Sequence, residues 1–169
     1  MPDDRPKIEP LLRAEGDAGR GEGPFETGAH RTARRPQAPV RILVIDDDEA
    51  DRLVIARALR KVRPGIQIVE ATTAAEGLDR LDEAAPDLVL LDLRMPGVDG
   101  FSVLKSAKTG AERADVPVVV LSTSSNPDDV RRAYRLNANA YVQKPSTLDE
   151  YERLARRLVD FWVETAVRL

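Results

Sequence analysis

A chain of 169 residues with 42% hydrophobic content holds material for one domain with a full core and little for a second. Its formal charge of −3 carries no electrostatic footprint for nucleic acid or an anionic membrane, so non-specific polyanion binding is disfavoured. Without cysteine there are no disulfides, thiolate metal sites or cysteine nucleophile.

The opening Met1-Pro2-Asp3-Asp4-Arg5-Pro6 has no apolar targeting core, and no later run approaches the length of a bilayer span, so a cytoplasmic protein is expected. Residues 1–39 contain six of the twelve prolines, five of the ten glycines, fourteen charged side chains and one aromatic, Phe25. Such a stretch buries too little apolar area to offset its ordering entropy, and a disordered extension is expected ahead of a domain over 40–169. The lone histidine, His30, falls there and reads as a solvated residue, not a ligand or phosphoryl carrier. Arg31, Arg34 and Arg35 read as a solvated charge run.

From Val40 the character changes. Arg41-Ile42-Leu43-Val44-Ile45 is apolar without alternation, which predicts a strand covered on both faces, ending at Asp46-Asp47-Asp48-Glu49. Ile55, Leu59 and Val62 then recur at helical spacing until Pro64-Gly65. A short strand is expected over 66–69. Thr73-Ala74-Ala75-Glu76 has the spacing of a capping box for a helix carrying Leu78 and Leu81. After Pro86, residues 88–91 read as the central strand, ending at Asp92.

Pro96-Gly97 forces a turn, and Asp99 is placed to cap a helix with Phe101, Val103 and Leu104, closed by Lys105, Lys108 and Gly110. A fourth strand over 116–121 runs into Ser122-Thr123-Ser124. Asn126-Pro127-Asp128-Asp129 supplies a capping Asn, Pro at the first helical position and first-turn acids. A fifth strand over 140–143 ends at Lys144-Pro145, and a long helix is expected from Thr147 to the C-terminus.

Five strands alternating with five helices predict an α/β fold, a doubly wound five-stranded parallel sheet of (βα)5 type with right-handed crossovers. Ligand sites of such sheets lie at the carboxyl ends of the strands. That rule gathers Asp46, Asp47, Asp92, Ser122 and Lys144 at one edge. Singly, each has an ordinary role as a helix-start acid, a turn residue or a strand-end cation; together they make a site.

Two unit charges about 4 Å apart repel by roughly 4 kcal/mol at an effective dielectric near 20, so three crowded carboxylates require protons or a cation. Hard oxygen ligands without His or Cys point to Mg²⁺. Three carboxylates and Lys144 sum to −2, which Mg²⁺ neutralises. Asp92 is then the natural nucleophile toward phosphorus, with Lys144 and the Ser122 hydroxyl facing the phosphoryl oxygens.

In this order and at these spacings, Asp46-Asp47, Leu91-Asp92 with Met95-Pro96-Gly97 and Asp99-Gly100, Ser122-Thr123 and Lys144-Pro145 resemble the response-regulator receiver domain of two-component signalling, over roughly residues 40–166. The resemblance implies a flavodoxin-like fold of strand order 2-1-3-4-5 and a phosphoacceptor, not a multiple-turnover enzyme, in which Asp92 takes its phosphoryl group from a sensor histidine kinase. It implies Mg²⁺ bound by Asp47, Asp92 and the Arg94 backbone carbonyl, with Asp46 acting through water. Ser122 and Tyr141 would form the switch, and Lys144 would precede a cis Pro145. Asn139-Ala140 replaces the glycine common before the aromatic. Thr123 is larger than the usual Ala or Gly and implies slower access to the phosphoryl group.

Only 24 residues follow Pro145, so a stand-alone receiver is expected. The last helix carries one apolar stripe at Tyr151, Ala155, Leu158 and Trp162 and a second at Val159, Val163, Ala166 and Val167. One would cover the sheet and the other would need a partner. The Phe161-Trp162 ending is similar to that of the phytochrome-associated single-domain subgroup. That likeness implies a phytochrome-type kinase as partner and a homodimer through Tyr151, Val159, Trp162 and Val163. The rival reading is a haloacid-dehalogenase-type phosphohydrolase using Asp46, because Asp46-Asp47-Asp48 contains its D-x-D pattern. Against it, Ala50 fills a Thr or Val position and the first helix starts too soon to leave room for a flap.

Overall fold

The computed structural model describes residues 39–109 and 114–166. The expected disordered extension, with His30 and its arginine cluster, lies outside them except for Pro39, as do Gly110 and Val167.

Seven strands and five α-helices follow one another among the described residues: β1 (Arg41–Ile45), α1 (Glu49–Val62), β2 (Gln67–Ala71), α2 (Ala74–Ala84), β3 (Leu88–Leu91), the two-residue strands β4 (Arg94–Met95) and β5 (Val98–Asp99), α3 (Gly100–Thr109), β6 (Val118–Ser122), α4 (Pro127–Arg135), β7 (Ala140–Gln143) and α5 (Leu148–Leu158). A π-helical turn, Val159–Thr165, continues α5. The main sheet is parallel throughout, with order β2-β1-β3-β6-β7. This is the doubly wound parallel architecture the alternation predicts, in the flavodoxin-like order the resemblance implies, and the β4–β5 hairpin is an addition to it.

Composition explains the order. β3 and β6 are buried along their whole length, and β1 is buried apart from Arg41. The edge strands β2 and β7 carry Gln67, Glu70 and Gln143 and are only partly covered. Alternate side chains feed two cores. Leu43, Ile45, Val89, Leu91, Val118 and Val120 pack with Leu81, Phe101, Leu104 and Ala133 of α2, α3 and α4. Ile42, Val44, Leu88, Leu90, Val119 and Leu121 pack with Ile55 and Leu59 of α1 and with Tyr151, Ala155 and Leu158 of α5. Each fully buried aliphatic side chain contributes roughly 1.5–3 kcal/mol, so helices on both faces hold the sheet.

Helix starts follow local chemistry. Asp48 accepts from Asp51 N at 3.0 Å, and Asn126 from Asp128 N at 3.0 Å with Pro127 behind it. Thr73 caps α2, but Glu76 accepts from Thr72 N at 2.9 Å, one residue beyond the cap, so the box is not reciprocal. The full box is at Thr147 and Glu150. Pro96 and Gly97, whose φ is +78°, make the turn that lets Arg94 and Met95 pair with Asp99 and Val98.

Two expectations are corrected. The Lys144–Pro145 peptide is trans, and no peptide among the described residues is cis. Trans is the favoured isomer by roughly 0.5–1 kcal/mol, and Lys144 is held regardless by its N–H donating to Ser122 O at 2.8 Å.

The second concerns the expected partner surface on the last helix. Tyr151, Val159 and Val163 are 5%, 2% and 6% exposed, inside the α1/α5 core with Val40 and Ile66. The two stripes are one wide face, because the final turn is π-helical, with Ala166 N donating to Phe161 O at 2.7 Å, and folds over this end of the core. An Arg63–Glu164 ion pair at 3.1 Å lies beside it. Of the four residues expected at a partner surface, only Trp162 remains partly exposed, edge-on to Phe161, which is 54% exposed. The helical turn ends at Thr165, short of the C-terminus.

Candidate functional site

Four strand ends converge at one edge of the sheet. β1 delivers Asp46, whose N–H still donates to Ala71 O at 3.1 Å, and Asp48 N turns back to Asp46 Oδ1 at 3.0 Å. β3 delivers Asp92. Its N–H extends the ladder to Ile45 O at 2.8 Å, and Arg94 N donates to Asp92 Oδ1 at 3.0 Å. Leu91 pairs with Val120, which sets Ser122 one residue beyond the level of Asp92 on the neighbouring strand. Lys144 arrives from β7.

Asp46, Asp92 and Ser122 are 3%, 4% and 0% exposed, which is unusual for such side chains unless they are paired. Gly100 is needed close by. A Cβ there would stand 2.5 Å from Leu93 Cα and 2.8 Å from Asp92 O, so only hydrogen lets the start of α3 rest on the backbone that carries Asp92.

Lys144 Nζ is the hub. Its three N–H groups meet Asp46 Oδ2, Asp51 Oδ2 and Asp92 Oδ2, each at 2.8 Å, with the lysine side chain 4% exposed. Burial alone lowers the Lys144 pKa, but the three hydrogen bonds outweigh it and hold the ammonium above its ordinary range. Burial pushes the Asp46 carboxyl up despite the lysine. Burial also raises Asp51, but hydrogen bonds from Lys144 and Tyr151 together bring it below its usual value.

Oxygens of Asp46, Asp47 and Asp92 lie within 4.8 Å of one another. Two oxygens on opposite sides of an octahedral Mg²⁺ are about 4 Å apart, so this all-carboxylate set suits a hard divalent ion. Asp47 is exposed and lines an open cleft with Leu93, Arg94, Pro96 and Asp99.

Around the edge, Arg94 reaches Asp129 Oδ2 at 3.1 Å, and Ser124 Oγ donates to the same oxygen at 2.6 Å. The Tyr141 hydroxyl donates to Ser124 O at 2.9 Å from a half-buried ring. Thr123 is exposed. The structure thus gathers Asp46, Asp47, Asp92, Ser122 and Lys144 as expected, with Arg94, Thr123 and Tyr141 on the surrounding loops.

Three contacts escaped the sequence reading. Asp51 binds the lysine, the Tyr151 hydroxyl donates to Asp51 Oδ1 at 2.9 Å, and Arg52 Nη1 donates to Asp46 O at 2.8 Å while its side chain pairs with Glu70. No local signal marked them, since Asp51 reads as an ordinary acid in the first turn of α1.

The geometry agrees with comparisons to known proteins. Residues 42–156 match the model of the response regulator receiver domain. The chain belongs to that family. The response regulator Rcp1 of Synechocystis sp. is 31% identical over 134 residues, covering 75% of this chain and 91% of the relative. A probable methanogenesis regulatory protein of Methanothrix harundinacea, FilR2, is 36% identical over 131 residues, 74% of this chain and 84% of that protein.

Among solved structures, the phosphorylated cyanobacterial phytochrome response regulator RcpA superposes with a TM-score of 0.72 at 34% identity, covering 77% of this chain and 98% of that one. The Mn²⁺-bound form of Rcp1 gives 0.70 at 30%, covering 78% and 99%. The hydrolase alternative finds no support. Asp48, the second acid of its D-x-D pattern, spends its carboxylate capping α1. No described helix is long and apolar enough to cross a membrane.

Proposed function

We propose that this receiver accepts a phosphoryl group on Asp92 from the phosphohistidine of a sensor histidine kinase and signals by a surface change, acting as a stoichiometric phosphoacceptor. The observation that carries the reading is the Lys144 ammonium 2.8 Å from Asp92 Oδ2, beside three carboxylates whose oxygens cluster within 4.8 Å. An Asp92 oxygen attacks phosphorus, the P–N bond to the donor imidazole breaks with its electron pair leaving on nitrogen, and an acyl phosphate forms.

Lys144 and the Ser122 hydroxyl take the transferred oxygens. Asp46, Asp47, Asp92 and the Arg94 carbonyl would hold Mg²⁺, whose contribution when bound is to neutralise the phosphoryl charge. The Mn²⁺-bound form of Rcp1 supports a divalent ion here.

Phosphorylation adds about −1.5 to −2 of charge and three acceptor oxygens. Drawing the Ser122 hydroxyl toward them opens space for Tyr141. Turning inward costs Tyr141 its bond to Ser124 O, so the β6–α4 loop and the α4–β7–α5 surface move together. Exposed Thr123 flanks the approach and would slow access to the phosphoryl group.

The likeness to RcpA, a phytochrome response regulator, makes a phytochrome-type kinase the first donor to try. Self-association through the last helix now rests on Phe161 and Trp162. The test of the function is labelling by acetyl phosphate with Mg²⁺. Wild type is expected to gain hydroxylamine-labile phosphate and Asp92→Asn none, and undiminished labelling of the variant moves the acceptor elsewhere.

A further inference from the structure

We infer that Asp51, oriented by the Tyr151 hydroxyl, is a positioning residue that holds Lys144 at the phosphoryl site through the whole cycle of phosphorylation. The inference rests on the phosphoacceptor reading and assigns a role that reading leaves empty.

An ammonium has three N–H groups, and here all three are committed, to Asp46, Asp51 and Asp92. The three acceptors are not equivalent. Asp46 and Asp92 belong to the carboxylate cluster, so their lone pairs are the ones a divalent ion and an incoming phosphoryl group compete for. Once Asp92 is an acyl phosphate, its carboxylate charge has moved to the phosphoryl oxygens, and Lys144 must exchange that bond for one to phosphorus-bound oxygen. Asp51 stands outside the cluster, in the first turn of α1, and nothing in the chemistry requires it to let go.

Asp51 is itself fixed. Its Oδ1 accepts from Tyr151 OH at 2.9 Å, which leaves Oδ2 for the lysine. The Tyr151 ring is 5% exposed, in the core between α1 and α5, so the phenol cannot swing away without unpacking that face. The carboxylate therefore has one low-energy orientation, and the lysine end that bonds it is held by a partner independent of Asp92. An ammonium tethered at one corner pivots between Asp92 and a phosphoryl oxygen without leaving the site. One without the tether follows the metal-binding carboxylates or solvent. Preorganising a charge in this way counts in phosphoryl transfer, where positioning and charge stabilisation make up most of the catalysis.

The alternative is that Asp51 and Tyr151 only tie α1 to α5. Single-turnover labelling of the full chain by acetyl phosphate at saturating Mg²⁺, normalised to folded protein from urea titrations, separates the two. Positioning predicts that Asp51→Ala slows labelling of folded molecules by roughly tenfold or more. Isosteric Asp51→Asn should slow it less, and Tyr151→Phe, which keeps the ring, should slow it by a smaller factor that disappears in the Asp51→Ala background.

Labelling that is unchanged or faster in folded Asp51→Asn and Tyr151→Phe overturns the inference, as do effects of the two sites that multiply. A parallel Asp92→Asn sample keeps the readings apart. If wild type is labelled and that variant is not, the phosphoacceptor reading stands whatever Asp51 does. If both label alike, it is that reading which fails.

Discussion

Lys144 Nζ lies 2.8 Å from Asp46 Oδ2, and the two side chains are 4% and 5% exposed. Removing one member of a buried ionic group leaves charge without compensation, at a typical cost of about 3–5 kcal/mol. Lys144→Met is expected to lose about 3 kcal/mol of urea-unfolding free energy in EDTA. Because a divalent cation can then neutralise Asp46 and Asp92 in its place, Mg²⁺ should stabilise the variant more than wild type. Equal stabilities in EDTA would show that Lys144 is not the counter-charge.

Stability should fall steeply in alkali. Burial, then the bond to Asp51, raises the Tyr151 pKa above its ordinary 10.0, and the carboxylates raise Lys144 above 10.5. As pH climbs past those ordinary values, the unfolded chain gives up both protons first. The native state then binds more protons, and unfolding becomes easier with each increment of pH. Urea midpoints at pH 9 and about pH 11 should differ clearly in wild type and less in Tyr151→Phe. A flat profile over that interval would show neither group to be held in its protonated form.

Gly100→Ala puts a methyl group against Leu93 Cα and Asp92 O. Forcing atoms into a packed region typically costs about 1–3 kcal/mol, and here the element that must yield carries the acceptor. Both the unfolding free energy and the labelling rate of the folded fraction should drop. A loss of stability with unaltered labelling would mean that the backbone yields on the α3 side.

The end of the chain offers a paired test. Val163→Ala removes two buried methyl groups and should cost about 2 kcal/mol, whereas Phe161→Ser, at a residue 54% exposed, should leave stability within about 0.5 kcal/mol. Sedimentation of wild type and Trp162→Ala at micromolar concentration checks self-association, and a monomeric mass for both removes it.

The layers and converging acids were legible because they follow from short-range facts: unbroken apolar runs such as Leu88–Leu91, and polar residues placed at their ends, whereas the strand order came only with the family resemblance. The residues that escaped notice depend on contacts the local pattern does not carry. Asp51 looks like any first-turn acid of a helix until β7 brings Lys144 to it. Tyr151 has an apolar ring that satisfies a core stripe, and its hydroxyl finds a partner on another helix 100 residues away in the chain. Val159 and Val163 looked surplus because a regular 3.6-residue period was assumed across a turn that is π-helical. The β4–β5 hairpin pairs only two residues on each side, too few to leave a signature.

The lysine hub has a consequence for how the molecule comes into being. Asp51 and Lys144 are 93 positions apart, and β7 with α5 is the last part of the domain to leave the ribosome. A nascent chain that has assembled β1 to β3 holds its carboxylates together with no ammonium among them, so until the final strand docks only protons or a divalent cation relieve their repulsion. Contacts of such sequence separation form slowly. The chemical competence of the domain and the completion of its folding therefore arrive in the same event, and a polypeptide stopped before residue 144 would have neither.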